Sequence, residues 1–420
     1  MVRWISERIG TASFYDDLRL TEGPAPYLLD VRELIDDEGN DPARLRMIID
    51  QAVAQLRVRR RVLICCDKGI SRSNAIAMGV LLGTGEPYSR VLKQLAGAGA
   101  TEMNLGMLKE IRALYESQET RRSRRPGRIL LTGASGFVGR AVLTSLAGNY
   151  ELLVLDRGRY DLCHDLLALD NFVNIHQIDT ILHLAHPRTR NSVTALGEAL
   201  MMMKTVLELR RLNGLRLVYL SGLVVFSGHV SAGVVRAGPG SLPRPKGLYA
   251  ETKYLCEQLI HCYPTADTSD LVVLRPGAVY GPEMDNGMFV PKFFEWAMQN
   301  KVIRTHRYLN GLPAFDFLYI DDMVNAIRRA LEATGTYTVH IGTGVTMTTY
   351  ALAQAIVRLT HSSSQIETLD IQGEVASVTV DPEEAAGQLQ FVSKVDLESG
   401  LAKIWAALCR GRKEAAAFPT

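Results

Sequence analysis

Residues 128–139, RILLTGASGFVG, constrain what this chain can fold into more than any other stretch. The apolar run Ile129-Leu130-Leu131 predicts a buried parallel strand, and a glycine-rich turn opening a helix follows it directly. Gly133, Gly136 and Gly139 fall in a T-G-x-x-G-x-x-G pattern. The first glycine allows a tight turn, the second lets backbone N–H groups approach a pyrophosphate, and the third lets helix and strand pack closely. Val138, Val142, Leu143 and Leu146 continue as an apolar helix face, and residues 152–155 predict a second strand. Asp156 at its tip sits where a carboxylate would accept from a ribose diol.

At 420 residues the chain is long enough for two or three domains. Its formal net charge of +2 implies no general affinity for nucleic acid or membrane, and no apolar run reaches spanning length. The N-terminus carries no apolar signal core. Cys65, Cys66, Cys163, Cys256, Cys262 and Cys409 match neither a disulfide framework nor zinc-ligand spacing, so a cytoplasmic location is expected. Met201-Met202-Met203 lies in a helical pattern and reads as core packing.

In the first part of the chain, Leu28-Leu29-Asp30-Val31 predicts a short buried strand, and Asp41-Pro42 a capped helix start. Val62-Leu63-Ile64 is the next strand, followed by CCDKGISRS at 65–73 and a helix. Cys66 and Arg72 stand in the relation C-x5-R, with Gly69 between them and Ser73 behind. A loop of this length closed at a helix N-terminus turns N–H groups inward as an anion nest. The same field lowers a thiol pKa and supplies a thiolate nucleophile, while an arginine grips a phosphate with two parallel hydrogen bonds.

These residues resemble the cysteine-dependent dual-specificity phosphatases, whose signature is H-C-x-x-G-x-x-R-S; the segment 103–108, MNLGML, is similar to a downstream segment of that family. The resemblance covers about residues 20–117 and implies Cys66 as nucleophile, Arg72 as phosphate clamp and Ser73 as donor to the leaving thiolate. The family's general acid best matches Asp36, in the acidic turn IDDEGND, and the usual histidine before the nucleophile is Cys65. A phosphomonoester, either a phosphosugar or a phosphoprotein, is the implied substrate.

Residues 118–127, QETRRSRRPG, read as an exposed basic linker. Beyond it, strands alternate with helical patterns, which predicts a doubly wound parallel α/β sheet. Residues 180–185 form a strand ending at Ala185, and residues 217–222 another ending at Ser221-Gly222. Tyr249 and Lys253, four apart, share one face of a helix whose apolar side is expected to carry Leu255, Leu259 and Ile260. A phenol can move a proton near neutral pH when a neighbouring ammonium lowers its pKa.

This part resembles the extended short-chain dehydrogenase/reductases, the sugar-nucleotide epimerases, dehydratases and ketoreductases, from Arg128 almost to the end. LRPGAVYGP at 274–282, FDFLYIDDMVNAI at 315–327 and IGTG at 341–344 carry the likeness. It implies a Rossmann core with a smaller C-terminal substrate lobe. Gly133, Ser135, Gly136, Phe137, Val138, Gly139, Asp156 and Ala185, with Tyr249 and Lys253, would bind NAD, and Tyr249 and Lys253 would carry the proton chemistry. Arg157 could meet a 2′-phosphate and leaves NADP as an alternative. The family's substrate-binding Ser or Thr aligns with Gly222, leaving Ser221 as the nearest substitute. Leu223-Val224 stand where dehydratases carry Asp-Glu, which argues against dehydration; Ala199 and Phe315 replace an expected asparagine and arginine.

The expectation is a phosphatase-like domain over 1–117, a linker over 118–127, and a dehydrogenase/reductase domain over 128–420. The second would epimerise or reduce a sugar or nucleotide sugar, and a homodimer is left open. In the alternative reading, the second domain is a catalytically silent dinucleotide sensor that regulates the phosphatase.

Overall fold

The computed structural model describes residues 2–16, 24–115, 127–155, 158–187, 192–230, 233–263, 270–285 and 287–417, with side chains described up to 410. Asp156, Arg157 and nearly all of the 118–127 linker lie outside the described residues. The chain divides into two compact units. The first comprises Met1–Arg125, Tyr160–Gln177 and Arg211–Asn213; the second comprises Pro126–Arg159, Ile178–Arg210 and Gly214–Thr420.

The units therefore do not follow chain order, because two pieces from beyond residue 128 are built into the first. The helix Leu166–Ile175 buries Leu167 in the apolar cluster of the first unit, beside Leu212. Asp170, fully buried, accepts from Arg112 Nη1 at 2.7 Å, Tyr88 Oη at 2.6 Å and Asn213 Nδ2 at 2.6 Å. A buried carboxylate is tolerated only when its lone pairs are taken up in this way, so the contact fixes the helix in register.

The first unit has a four-stranded sheet in the order Arg3–Trp4, Ile9–Ser13, Val62–Cys66, Tyr27–Asp30. The last three strands run parallel and the first is antiparallel to its neighbour. Val62–Cys66 is buried at every residue, as a central strand covered on both faces requires. Tyr27–Asp30 is an edge strand instead, so Leu29 is buried while Leu28 is 41% exposed; the run expected to be buried is half-buried. The helix Pro42–Arg57 starts where expected, with Asp41 accepting from the Ala43 N–H.

The second unit is organised on six parallel strands in the order Thr336–Ile341, Leu271–Pro276, Arg216–Leu220, Thr180–His183, Arg128–Thr132, Glu151–Val154. From Arg128–Thr132 the chain goes first to the strand on one side and then to the strand on the other. Ligands bind at the carboxyl ends of strands where the order reverses in this way. The smaller sheets, one of them containing Ala278–Tyr280, Ala314–Tyr319 and Ser377–Val380, are largely built from the C-terminal half. Asp316 anchors that part: it is buried and accepts from the N–H groups of Thr343, Gly344 and Val380 and from the Thr343 and Thr379 hydroxyls.

Of the three consecutive methionines only Met203 is fully buried, whereas Met201 is 40% exposed, because a helix turns consecutive residues onto different faces. Among the described residues no helix is long and apolar enough to cross a membrane.

Candidate functional site

In the second unit the glycine turn joins Arg128–Thr132 to the helix Phe137–Leu146. Gly133 has φ +76°, and a Cβ there would lie 2.6 Å from the Ala185 nitrogen, so glycine is required by both conformation and space. Gly136 is the N-cap residue and no side chain caps the helix, which leaves its first N–H groups directed at whatever lies beyond the turn. Ser135 and Gly136 are exposed, Phe137 and Val138 half-buried, and Gly139 is buried against Gly133 and Ala134. Ala185 donates its N–H to Thr132 Oγ1 at 3.3 Å, tying two strand ends together. The residues present fit a dinucleotide: an uncapped helix start and an exposed turn at the end of a central strand.

Thr132 Oγ1 also lies 2.8 Å from His183 Nδ1. Burial, reinforced by the nearby Lys253 charge, pulls this imidazole down to about 3, so it stays neutral at ordinary pH.

Tyr249 and Lys253 lie on the helix Leu248–Cys262. The inward face of this helix is polar: Thr252, Lys253, Cys256 and Glu257 are buried with Ala250 and Ile260, while Leu255 is 38% exposed. The expected apolar side of Leu255, Leu259 and Ile260 is thus corrected; of the three only Ile260 is buried. The reason is that each inward polar group has a partner. Lys253 Nζ donates to the Leu220 carbonyl at 2.7 Å and lies 5.1 Å from the Tyr219 ring. Glu257 receives Arg275 through two hydrogen bonds, Nε at 3.1 Å and Nη2 at 2.5 Å. Arg275 Nη1 is 3.2 Å from His340 Nε2, and His340 Nδ1 is 2.6 Å from Glu384.

Ser221 belongs to this buried network, since its hydroxyl donates to Glu257. The tertiary fold therefore pairs the Ser221 hydroxyl with Glu257. The ring beside Tyr249 is His186, edge to face with centroids 4.9 Å apart. Burial pushes the neighbouring Tyr219 phenol well above its ordinary range. Phe315, at the expected arginine position, packs against Phe289 and Phe317.

In the first unit Cys66 ends the strand Val62–Cys66, and the helix Arg72–Gly83 begins six residues later. Gly69, at φ +68°, folds the loop back so that its N–H donates to Cys66 Sγ at 3.2 Å; Ser73 Oγ is 3.4 Å from the same sulfur. Burial alone would push this thiol up. Hydrogen bonds from the Ser73 side chain and the Ser73, Ile70 and Gly69 N–H groups outweigh it and leave Cys66 below the ordinary thiol range. Cys65 shows the opposite: burial, with the Asp30 carboxylate nearby, pushes it up to about 12. The two adjacent thiols are thus shifted in opposite directions.

Arg72 Nη1 donates to the carbonyls of Arg32 at 2.5 Å and Leu34 at 3.1 Å, and Nη2 pairs with Asp67. Asp36 reaches the loop, accepting from Ser71 Oγ at 2.5 Å, and the same hydroxyl accepts from the Asn104 N–H at 2.8 Å. Sequence reasoning missed the Asp67–Arg72 pair, although their i, i+5 spacing across a helix start was a usable signal. It also missed Glu257, whose partner Arg275 lies on a strand 18 positions away, beyond the reach of helical spacing.

The family model described as "NAD dependent epimerase/dehydratase family" matches residues 129–342. A trifunctional UDP-glucose 4,6-dehydratase/UDP-4-keto-6-deoxy-D-glucose 3,5-epimerase/UDP-4-keto-L-rhamnose-reductase of Arabidopsis thaliana is 26% identical over 245 residues, covering 50% of this chain and 35% of that protein. The chain thus matches about a third of that relative's length. UDP-glucuronic acid decarboxylase 5 of the same plant is 25% identical over 267 residues, or 58% of this chain and 77% of that protein. UDP-glucose 4-epimerase of Thermus thermophilus in complex with NAD shares the fold, with a TM-score of 0.58 at 24% identity over 66% of this chain and 97% of that one. With a family model spanning half its length and a glycine turn shaped for the cofactor, the chain belongs to the NAD dependent epimerase/dehydratase family, and NAD is its cofactor.

Proposed function

We propose that the second unit epimerises or reduces a nucleotide sugar at a carbinol carbon, with Tyr249 moving the hydroxyl proton. The observation that carries this is the pairing of Tyr249 and Lys253 on one helix face, with Lys253 held by the Leu220 carbonyl at the end of a central strand. NAD, when bound, would supply the acceptor for a hydride leaving the carbinol carbon in epimerisation and, in its reduced form, the hydride that returns to the ketone carbon in epimerisation or reduction. The chain supplies the rest. Backbone N–H groups after Gly133 hold the pyrophosphate, Lys253 places a positive charge on the Tyr249 face, and Tyr249 takes the proton released as the carbinol becomes a ketone. Relatives that act on UDP-sugars support the substrate class. The absence of an acidic pair at Leu223-Val224 favours epimerisation or reduction over dehydration. The test is to incubate the full-length protein with NAD and a panel of UDP-sugars, following products by mass spectrometry. Turnover that Tyr249→Phe abolishes supports the reading; turnover indifferent to Tyr249→Phe overturns it.

A second reading concerns the first unit. We infer that Cys66 attacks a phosphomonoester: sulfur bonds to phosphorus, the alcohol leaves with a proton from Asp36, and water then releases inorganic phosphate. The lowered Cys66 thiol favours this, because nothing in the packing of a strand end calls for a stabilised thiolate. Phosphosugar and phosphoprotein substrates both fit. Hydrolysis of an aryl phosphate that is lost in Cys66→Ser tests it. The six free cysteines are in keeping with a cytoplasmic location.

A further inference from the structure

The Arg72 guanidinium has two sides, and the chain uses them differently. Nη1 is anchored by two backbone carbonyls, those of Arg32 and Leu34. That anchorage alone fixes the plane of the guanidinium. The remaining fork, Nε with Nη2, is the pair that could chelate a tetrahedral oxyanion with two parallel bonds. Nη2 is taken by the carboxylate of Asp67, the residue directly after the nucleophile, while Nε is buried without a partner among the described residues. The arginine side chain is 15% exposed and the aspartate side chain 46% exposed, so the carboxylate reaches in from solvent to occupy half of the fork. Behind it the Gly69 N–H and the Ser73 hydroxyl are directed at the Cys66 sulfur.

We propose that Asp67 is an internal competitor for the oxyanion site: its carboxylate occupies the half of the Arg72 fork that a bound phosphoryl group needs, and binding requires its displacement. This rests on the phosphomonoester reading of the first unit and adds a specificity rule to it. A substrate must offer Arg72 more than one carboxylate oxygen does. A phosphoryl dianion, with two negative charges, does so; carboxylates and sulfate monoesters, with one, do not. Asp67 is unnecessary for orienting Arg72, since the two carbonyls do that.

The experiment uses the full-length protein and inorganic phosphate, with alkylation of Cys66 by iodoacetamide followed by mass spectrometry of the Cys66 peptide. The half-protecting phosphate concentration should fall roughly tenfold in both Asp67→Asn and Asp67→Ala, the scale of one partly exposed charge-assisted pair. In an Arg72→Ala background, Asp67→Asn should change it little, because the competitor acts through Arg72. An unchanged or raised half-protecting concentration in both single variants overturns the proposal while leaving the phosphate site in place. A full tenfold gain that persists without Arg72 also overturns it, since Asp67 would then act by charge alone. If phosphate protects Cys66 in none of these proteins, the oxyanion reading of the loop fails and the proposal falls with it.

Discussion

Both units carry a strand, a glycine-containing turn and a helix start that could face an anion, yet the two turns are equipped differently. Around Cys66 the turn is crowded with side chains, paired as Cys66 with Ser73, Arg72 with Asp67 and Ser71 with Asp36. Around Gly133 no side chain caps the helix start, and a Cβ at Gly133 would strike the backbone of Ala185. Backbone donors suffice to hold a group that keeps its bonds throughout, as a cofactor pyrophosphate does. A group whose bonds are made and broken also needs a nucleophile and a proton donor, which only side chains supply. In the second unit the paired polar side chains Lys253 and Glu257 lie on another helix, Leu248–Cys262.

The comparison is broken most directly at Cys66. Cys66→Ser should lower aryl phosphate hydrolysis by roughly 10⁴-fold or more, the scale of removing a nucleophile, whereas Cys65→Ser should cost only a few-fold. The lowered Cys66 thiol loses its proton before an ordinary thiol does, so its alkylation should remain fast as pH falls below about 8.5, the reference thiol value, where Cys65 stays protonated. Equal losses from the two serine variants would show that the thiols are not differentiated.

Tyr249→Phe should reduce nucleotide-sugar turnover by roughly 10²–10⁴-fold while NAD affinity, measured by titration, barely changes. If Tyr249→Phe is silent and NAD instead alters the rate of phosphate ester hydrolysis, the second unit is a sensor, a reading for which Ser221's commitment to Glu257 already provides a motive.

Arg275→Ala leaves the Glu257 carboxylate buried without its main partner, and should destabilise the second unit by about 3–5 kcal/mol, read from chemical unfolding. Glu257→Gln keeps the shape and should cost less. The smallest effect is expected at Leu255→Gln, within about 0.5 kcal/mol, because this leucine is 38% exposed. A large loss there would mean that the helix turns its apolar side inward after all.

The sequence alone carried the features that depend on local geometry. A glycine at positive φ, an apolar run long enough for one buried strand, an aspartate before a proline at a helix start and a C-x5-R loop are short-range requirements, met by a few neighbouring residues. Gly133, Asp41, Cys66 and Tyr249 could be singled out on that basis. What only the tertiary structure decided is which polar side chains are paired. Lys253 and Glu257 turn inward because a carbonyl from one strand and an arginine from another are waiting there, and Ser221 donates to Glu257. Asp170 draws the helix Leu166–Ile175 into the first unit because Arg112, 58 positions earlier, needs a buried partner. A buried charge is stable only beside its partner, and the distance along the chain between partners is unconstrained, so hydrophobic periodicity cannot reveal where such pairs form.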